Sequence, residues 1–349
     1  MIGHLRTSWL IPALAIAVVV AVAGSFAIGS RPIALADVLS SLTSGPSAQG
    51  EVPHIVWYLR APRTALALVT GAALAVAGAI AQAWTRNPLA DPGFIGVTAG
   101  AAFAVALGLT FGLATGGVLG LAGKTGLALI GAAVTAALVV AVSRSSEDPL
   151  TLILVGLGVS AALQAATMLL SLNATAVLDG LRQWFVGSTS GRGLSDIAIA
   201  GAGLVLGGAL ATWVARPLDL LAMGHEQAIA LGTSPAVTRG LAATSVVVLA
   251  GTATAAVGPV AFVGFAGPHL IRPLTGPALT RLLVPTALAG SAITLAADIL
   301  GRVIMRPGEL EVSVVLAIVG APLMILAVRH GVHGESRVRL PRLRRSVAR

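Results

Sequence analysis

The chain has 349 residues, a formal net charge of +9 and no cysteine; 56% of its residues are hydrophobic, 10% are charged, and the mean hydropathy is +0.94. Soluble domains carry about 25% charged residues, so the composition indicates an integral membrane protein and excludes a soluble enzyme. The missing cysteines exclude disulfides, thiol catalysis and cysteine-ligated metals. The positive charge reads as membrane topology rather than nucleic-acid binding.

Apolar runs of helical-span length recur along the chain, without the alternation of a membrane β-barrel. They predict an all-α polytopic protein with about ten transmembrane helices, near 9–30, 63–84, 93–112, 125–143, 150–171, 196–215, 238–257, 259–273, 282–301 and 311–328. The first run follows His4 and Arg6 and is longer than the apolar core of a signal peptide, so a retained span is expected. The seventh and eighth runs are almost continuous, with Gly258-Pro259 as the natural break. An even number of spans puts both termini on one side. The segment from Arg329 onward holds seven of the 22 basic residues, which places both termini in the cytoplasm. One transmembrane domain is expected over 1–335, with a basic cytoplasmic tail at 336–349.

Glycine and alanine are abundant, and Gly96-x3-Gly100 and Gly203-x3-Gly207 suit close helix packing. Shifting the sequence by 180 residues pairs Thr64 with Thr244, Gly71 with Gly251, Gly78 with Gly258, Pro88 with Pro268 and Gly96 with Gly276. The shift aligns the second span with the seventh, five spans later and so opposite in direction. An inverted internal repeat of spans 2–5 and 7–10 is expected, a common transporter architecture.

The segment GLAGKTG at 120–126 contains the only lysine, Lys124. Its glycine spacing does not fit a phosphate-binding loop and no strand precedes it, so it reads as a turn between helices on the outer side. Acidic residues fall at span ends or in loops, except Asp298 near the outer end of the ninth span. Arg302 lies four residues on and can pair with it along one helical face; a structural pair and a transport role both fit. No catalytic triad, acid–base carboxylate pair or metal site stands out, and His330, His333 and Glu335 read as a loose polar tail. Without a proton relay or a nucleotide site, energy coupling is expected from a partner.

The stretch LDLLAMGHEQAIALG, 218–232, occupies the longest predicted cytoplasmic loop. It is too polar to cross a bilayer and too apolar for a linker. Two short amphipathic helices, broken at Gly224 and flanking His225 and Glu226, would present Leu220, Leu221, Met223, Ile229 and Leu231 to a groove in another protein, ending at Gly232. A helix lying at the lipid interface is the alternative.

Four segments carry a family resemblance: RAPRTALALVTGAALAVAGAIAQAWTRNPLADPGFIGVTAGAA (60–102), GPVAFVGFAGPHLIRPLTG (258–276), AADILGR with GELEVSVVLAIVGAPLMILAVR (296–329), and 218–232. They resemble the FecCD family, the permeases of bacterial type II ABC importers for ferric siderophores, haem or cobalamin. The resemblance implies ten spans per subunit in the bacterial plasma membrane and a permease dimer of like or unlike subunits. It also implies two ATPase subunits that bind ATP and Mg, and an extracytoplasmic substrate-binding protein. It assigns binding-protein docking to Arg60, Arg63 and Arg302, with Arg306 as a further contact, and a cytoplasmic gate to Asn87, Pro88 and Leu89. It makes 218–232 the ATPase-coupling element. The family's ELPxGV pattern is here Glu309-Leu310-Glu311-Val312-Ser313-Val314, so a carboxylate replaces proline. His225 stands where the family carries glutamate.

The resulting expectation is a non-enzymatic permease importing a ferric siderophore. Cobalamin or haem import by the same machinery is one alternative; a gradient-driven secondary transporter with inverted repeats is another, and it would require essential carboxylates within the membrane.

Overall fold

The computed structural model describes residues 2–113, 117–143, 149–173 and 175–335. The predicted basic tail at 336–349 lies outside them, as does most of the predicted inside loop at 144–149. The described chain is helical: α1 Ile2–Ala27, α2 Leu35–Ser44, α3 Glu51–His54, a π-helical stretch Ile55–Arg60, α4 Ala61–Thr85, a 3-10 turn Pro92–Ile95, α5 Val97–Thr110, α6 Gly117–Ser143, α7 Pro149–Asn173 and α8 Thr175–Phe185. There follow α9 Leu194–Met223, α10 His225–Ala230, α11 Pro235–Val257, α12 Val263–Thr275, α13 Leu279–Ile304 and α14 Val312–Glu335.

Among the described residues, seven helices are long and apolar enough to cross a membrane, and α5 and the stretch Val312–Ile325 are shorter apolar helices. The expected eighth span is the 13-residue α12, about 20 Å long and shorter than the roughly 30 Å hydrocarbon core. Gly258 (φ 86°) and Phe262 (φ 70°) break the chain ahead of it, at the Gly-Pro site that the sequence marks. The second span is longer than expected, because α3, the π-helical stretch and α4 form one rod, Glu51–Thr85. Pro62 supplies no N–H to the first turn of α4, which explains the irregular winding just before it. GLAGKTG lies inside α6 rather than in a turn, so its N–H groups serve the helix. The chain is also helical through His330, His333 and Glu335, where a loose tail was expected.

The core is built on α4, whose residues from Thr70 to Gln82 are all buried. It packs against α13, α9, α11 and α12. Small residues make this possible: a Cβ on Gly71 would strike the Gly290 carbonyl, and one on Gly290 would strike that of Gly71. Gly203 and Gly207 admit Thr252 and Leu249 of α11, as the predicted small-residue spacing requires. The outward faces of α1, α7 and α9 are apolar, with Trp9, Leu154, Leu172 and Trp213 exposed.

The residue pairs of the 180-residue shift do not all mark the same backbone. Gly96 and Gly276 share positive φ (79° and 86°), but Gly78 lies inside α4 whereas Gly258 closes α11. Pro88 turns the chain, whereas Pro268 lies inside α12. Helix pairing nonetheless follows a reciprocal pattern: α4 with α13 and α11 with α6, α5 with α6 and α12 with α13, α4 with α12 and α11 with α5.

Candidate functional site

Helices α4 and α13 are antiparallel, so Arg63 and Arg302 sit at one end of the bundle and Asn87 and Leu279 at the other. Arg63 and Thr85 lie about 33 Å apart along α4, a full membrane thickness.

At the Arg302 end, Asp298 is fully buried and accepts from Arg63 Nε at 2.8 Å, from Thr189 Oγ1 at 2.7 Å and from Arg302 Nη2. The expected pairing along one face of α13 is present. Arg63 Nη1 also pairs with Glu309. Arg302, 2% exposed, donates Nη1 to the Ser25 carbonyl at 2.8 Å and Nη2 to Ser25 Oγ at 3.1 Å. Ser25 Oγ in turn lies 2.7 Å from Thr64 Oγ1. Arg60, also buried, donates to the carbonyls of Phe26, Ala27 (3.2 Å) and Arg31 (2.7 Å). The first helix is therefore fastened to α4 and α13 by two arginines that satisfy its last carbonyls.

Arg60, Arg63 and Arg302, three of the four residues expected to dock the binding protein, are buried within the chain. Their guanidinium groups are hydrogen-bonded to internal acceptors and hold helix ends together. Arg306 alone of the four is exposed, with Nη2 donating to the Gly29 carbonyl at 2.7 Å. Glu309 lies in the connection after α13. Burial raises its pKa, but the Arg63 hydrogen bond and charge, with Ser30 and Arg302, outweigh this and hold it below the usual carboxylate range. A cavity of 380 Å³ at this end is lined by residues including Lys124, Ser188, Arg192 and Glu311, the carboxylate that departs from the family pattern.

At the opposite end, α4 closes with Arg86 in the left-handed region (φ 51°). The Asn87 N–H returns to the Gln82 carbonyl at 3.2 Å, the wrap that ends helices. Asn87 Oδ1 then accepts from the Leu89 N–H at 2.9 Å. Pro88 and Leu89 are exposed on this turn. Arg272 reaches Gln82 Oε1 at 2.9 Å, joining α12 to α4.

The expected pair of short helices at 218–232 takes a different form. Residues 218–223 are the last turns of the 30-residue α9, and only α10 is a separate short helix. Gly224 (φ 139°) makes the break and Gly232 (φ 81°) ends the element. Met223 (69%), Ile229 (52%) and Leu231 (61%) are exposed, and Glu226 is exposed beside a half-buried His225. Leu220 is half-buried and Leu221 is buried in the core, with its carbonyl accepting from Arg86, so Leu221 anchors the element to the bundle. The sequence reading missed Asp219. Its carboxylate accepts from the Leu279 N–H (2.7 Å), the Thr280 N–H (3.2 Å) and Thr280 Oγ1 (3.1 Å). It caps α13, whose own N-cap residue, Ala278, has no capping side chain. The signal was an acidic residue beside an apolar turn, facing a helix start without its own cap.

Residues 15–330 match the FecCD transport family. The sequence is 39% identical over 328 residues to the ferric enterobactin transport system permease FepD of Escherichia coli K12, covering 93% of this chain and 96% of that one. It is 34% identical to the Fe(3+) dicitrate permease FecD of the same organism (90% and 97% covered) and 30% identical to the hemin permease HmuU of Yersinia pestis (93% and 96% covered). A solved inward-facing structure of a metal-chelate type ABC transporter superposes with a TM-score of 0.81 at 28% identity, covering 93% of this chain and 99% of the other.

Proposed function

The chain belongs to the FecCD transport family and is a multi-pass permease subunit of an ABC importer, with no ATPase of its own; from that premise we propose that it carries a ferric siderophore across the bacterial plasma membrane. The observation that carries this reading is the near full-length similarity to FepD, whose name gives ferric enterobactin as what it transports. Haem is the second reading, favoured by the match to the hemin permease.

The working unit is a dimer of permeases with two ATPases and a binding protein. The chain supplies about ten crossings, counting α5, α12 and α14, with both termini cytoplasmic. The reciprocal helix pairing supports an inverted repeat of spans 2–5 and 7–10. Met223, Ile229 and Leu231, with His225 and Glu226, form the ATPase contact, flanked by the breaks at Gly224 and Gly232. The hydrogen-bonded turn Asn87-Pro88-Leu89 belongs to the cytoplasmic gate. Arg306 meets the binding protein, while Arg60, Arg63 and Arg302 shape the surface that it meets. ATP and Mg act in the ATPase subunits.

The test is complementation of a permease-deletion strain with the full importer, followed by uptake of radio-iron as its enterobactin complex, of haem and of cobalamin. Energy-dependent uptake of the siderophore iron alone is expected. Uptake of cobalamin or haem in its place, or uptake without any ATPase subunit, overturns the reading.

A further inference from the structure

A cleft of 1030 Å³ opens at the His225 end of the bundle. Its walls are α6, from Ala133 to Ser143, and α11, from Ala236 to Val248; Trp84, Leu152 and, at the end of α9, Leu218, Leu221 and Ala222 add to the apolar lining, with His225 beside them. Ala133, Ala137, Gly240 and Thr244 are exposed along it, so it opens sideways from the helix bundle. At its mouth stand Arg86, just past the end of α4, and Arg239, in the first turns of α11. No acidic side chain is among the described residues that line it. Arg239 makes no ion pair among the described residues, and Arg86 spends one Nη2 donor on the Leu221 carbonyl.

We propose that this cleft binds an anionic phospholipid, with the phosphate between Arg86 and Arg239 and an acyl chain laid along α6 and α11. Depth supports this occupant. The α11 wall runs about 18 Å and the α6 wall about 15 Å along the helix axes, against about 15 Å for one leaflet of the hydrocarbon core. The apolar part therefore has the depth of a single acyl layer, with both guanidinium groups at the headgroup level. Arginine forks match phosphate oxygens, and basic pockets between membrane helices recognise anionic headgroups. A water-soluble anion would leave the apolar wall unfilled.

Native mass spectrometry of the delipidated full-length permease, titrated with phosphatidylglycerol, phosphatidylcholine or inorganic phosphate, tests this. Phosphatidylglycerol is expected to be retained in preference to phosphatidylcholine, and phosphate is expected not to displace it. Arg239→Gln should cut retention by roughly fivefold, on the scale of one basic contact at a membrane surface. Ala137→Trp should reduce it with the charges intact, by filling the wall. Both variants should keep the wild-type melting temperature. Equal retention of the two lipids, displacement by free phosphate, or unchanged retention in both variants overturns the proposal. So does crosslinking of Ala137→Cys to a second copy, which would make the cleft a subunit interface.

Discussion

Arg63 and Asp298 are 235 positions apart in the chain, yet their side chains form a 2.8 Å ion pair inside the protein. The pair joins the start of α4 to the last turns of α13 and is one branch of a network that also holds Arg302 and Thr189. A single carboxylate here serves two guanidinium groups in a place that water does not reach. Breaking a buried pair by removing one partner costs about 3–5 kcal/mol, because the remaining charge is left uncompensated. Asp298→Asn keeps the shape and removes the charge. It should lower stability by about that amount, read as a lower midpoint of thermal unfolding in detergent. A midpoint equal to the wild type would show that Asp298 does not support the fold.

Glu309 gives this network a pH dependence of defined sign. Its folded pKa lies below its ordinary value of 4.5. The Arg63–Glu309 contribution is therefore complete above pH 4.5 and is lost as pH falls through the lower, folded value. Glu309→Gln should be less stable than wild type at neutral pH, with the two melting temperatures converging under acid conditions. Parallel melting curves across that range would remove Glu309 from the acid response.

Asp219 should matter for both stability and coupling. Removing a helix N-cap costs about 0.5–2 kcal/mol, and Asp219→Ala should cost that much by unfolding. Asp219→Asn keeps an acceptor for one N–H and should cost less. The hook also ties the end of α9 to α13, so transport per ATP hydrolysed in the assembled importer should fall in both variants. A lower melting temperature with an unchanged transport-to-hydrolysis ratio would make Asp219 purely structural.

The exposed side chains of the loop make a separable prediction. Met223→Asp and Ile229→Asp change residues that touch little of the core, so their melting temperatures should match the wild type. ATPase affinity should fall by about fivefold or more for each, the scale of a truncated interface contact. Leu221→Asp should instead lower the melting temperature, because Leu221 is buried. Full ATPase binding by both Met223→Asp and Ile229→Asp would move the contact elsewhere.

Helical class, the Gly-Pro break ahead of α12 and the family were legible because they depend on local signals: apolar length, backbone restriction and long motifs. The i,i+4 pair of Asp298 and Arg302 was legible for the same reason. The partner of Arg63 was not, because no periodicity relates α4 to the far end of α13. Arginines at span ends look alike in sequence whether they face a partner protein or the last carbonyls of a neighbouring helix. Tertiary packing alone separates Arg60, which is buried, from Arg306, which is exposed. Asp219 was overlooked because the helix that it caps begins 60 residues later.

That separation yields a contrast between two charge reversals. Arg63→Glu would place a third carboxylate beside Asp298 and Glu309 in a buried site, so the protein should lose stability before any question of docking arises. Arg306→Glu alters an exposed group whose internal hydrogen bond goes to one carbonyl. It should leave the melting temperature near wild type and slow association with the binding protein, and the defect should shrink as salt rises and screens the charge. Stopped-flow association at low and high ionic strength reads both effects. A rate for Arg306→Glu equal to wild type at low salt would exclude Arg306 from docking.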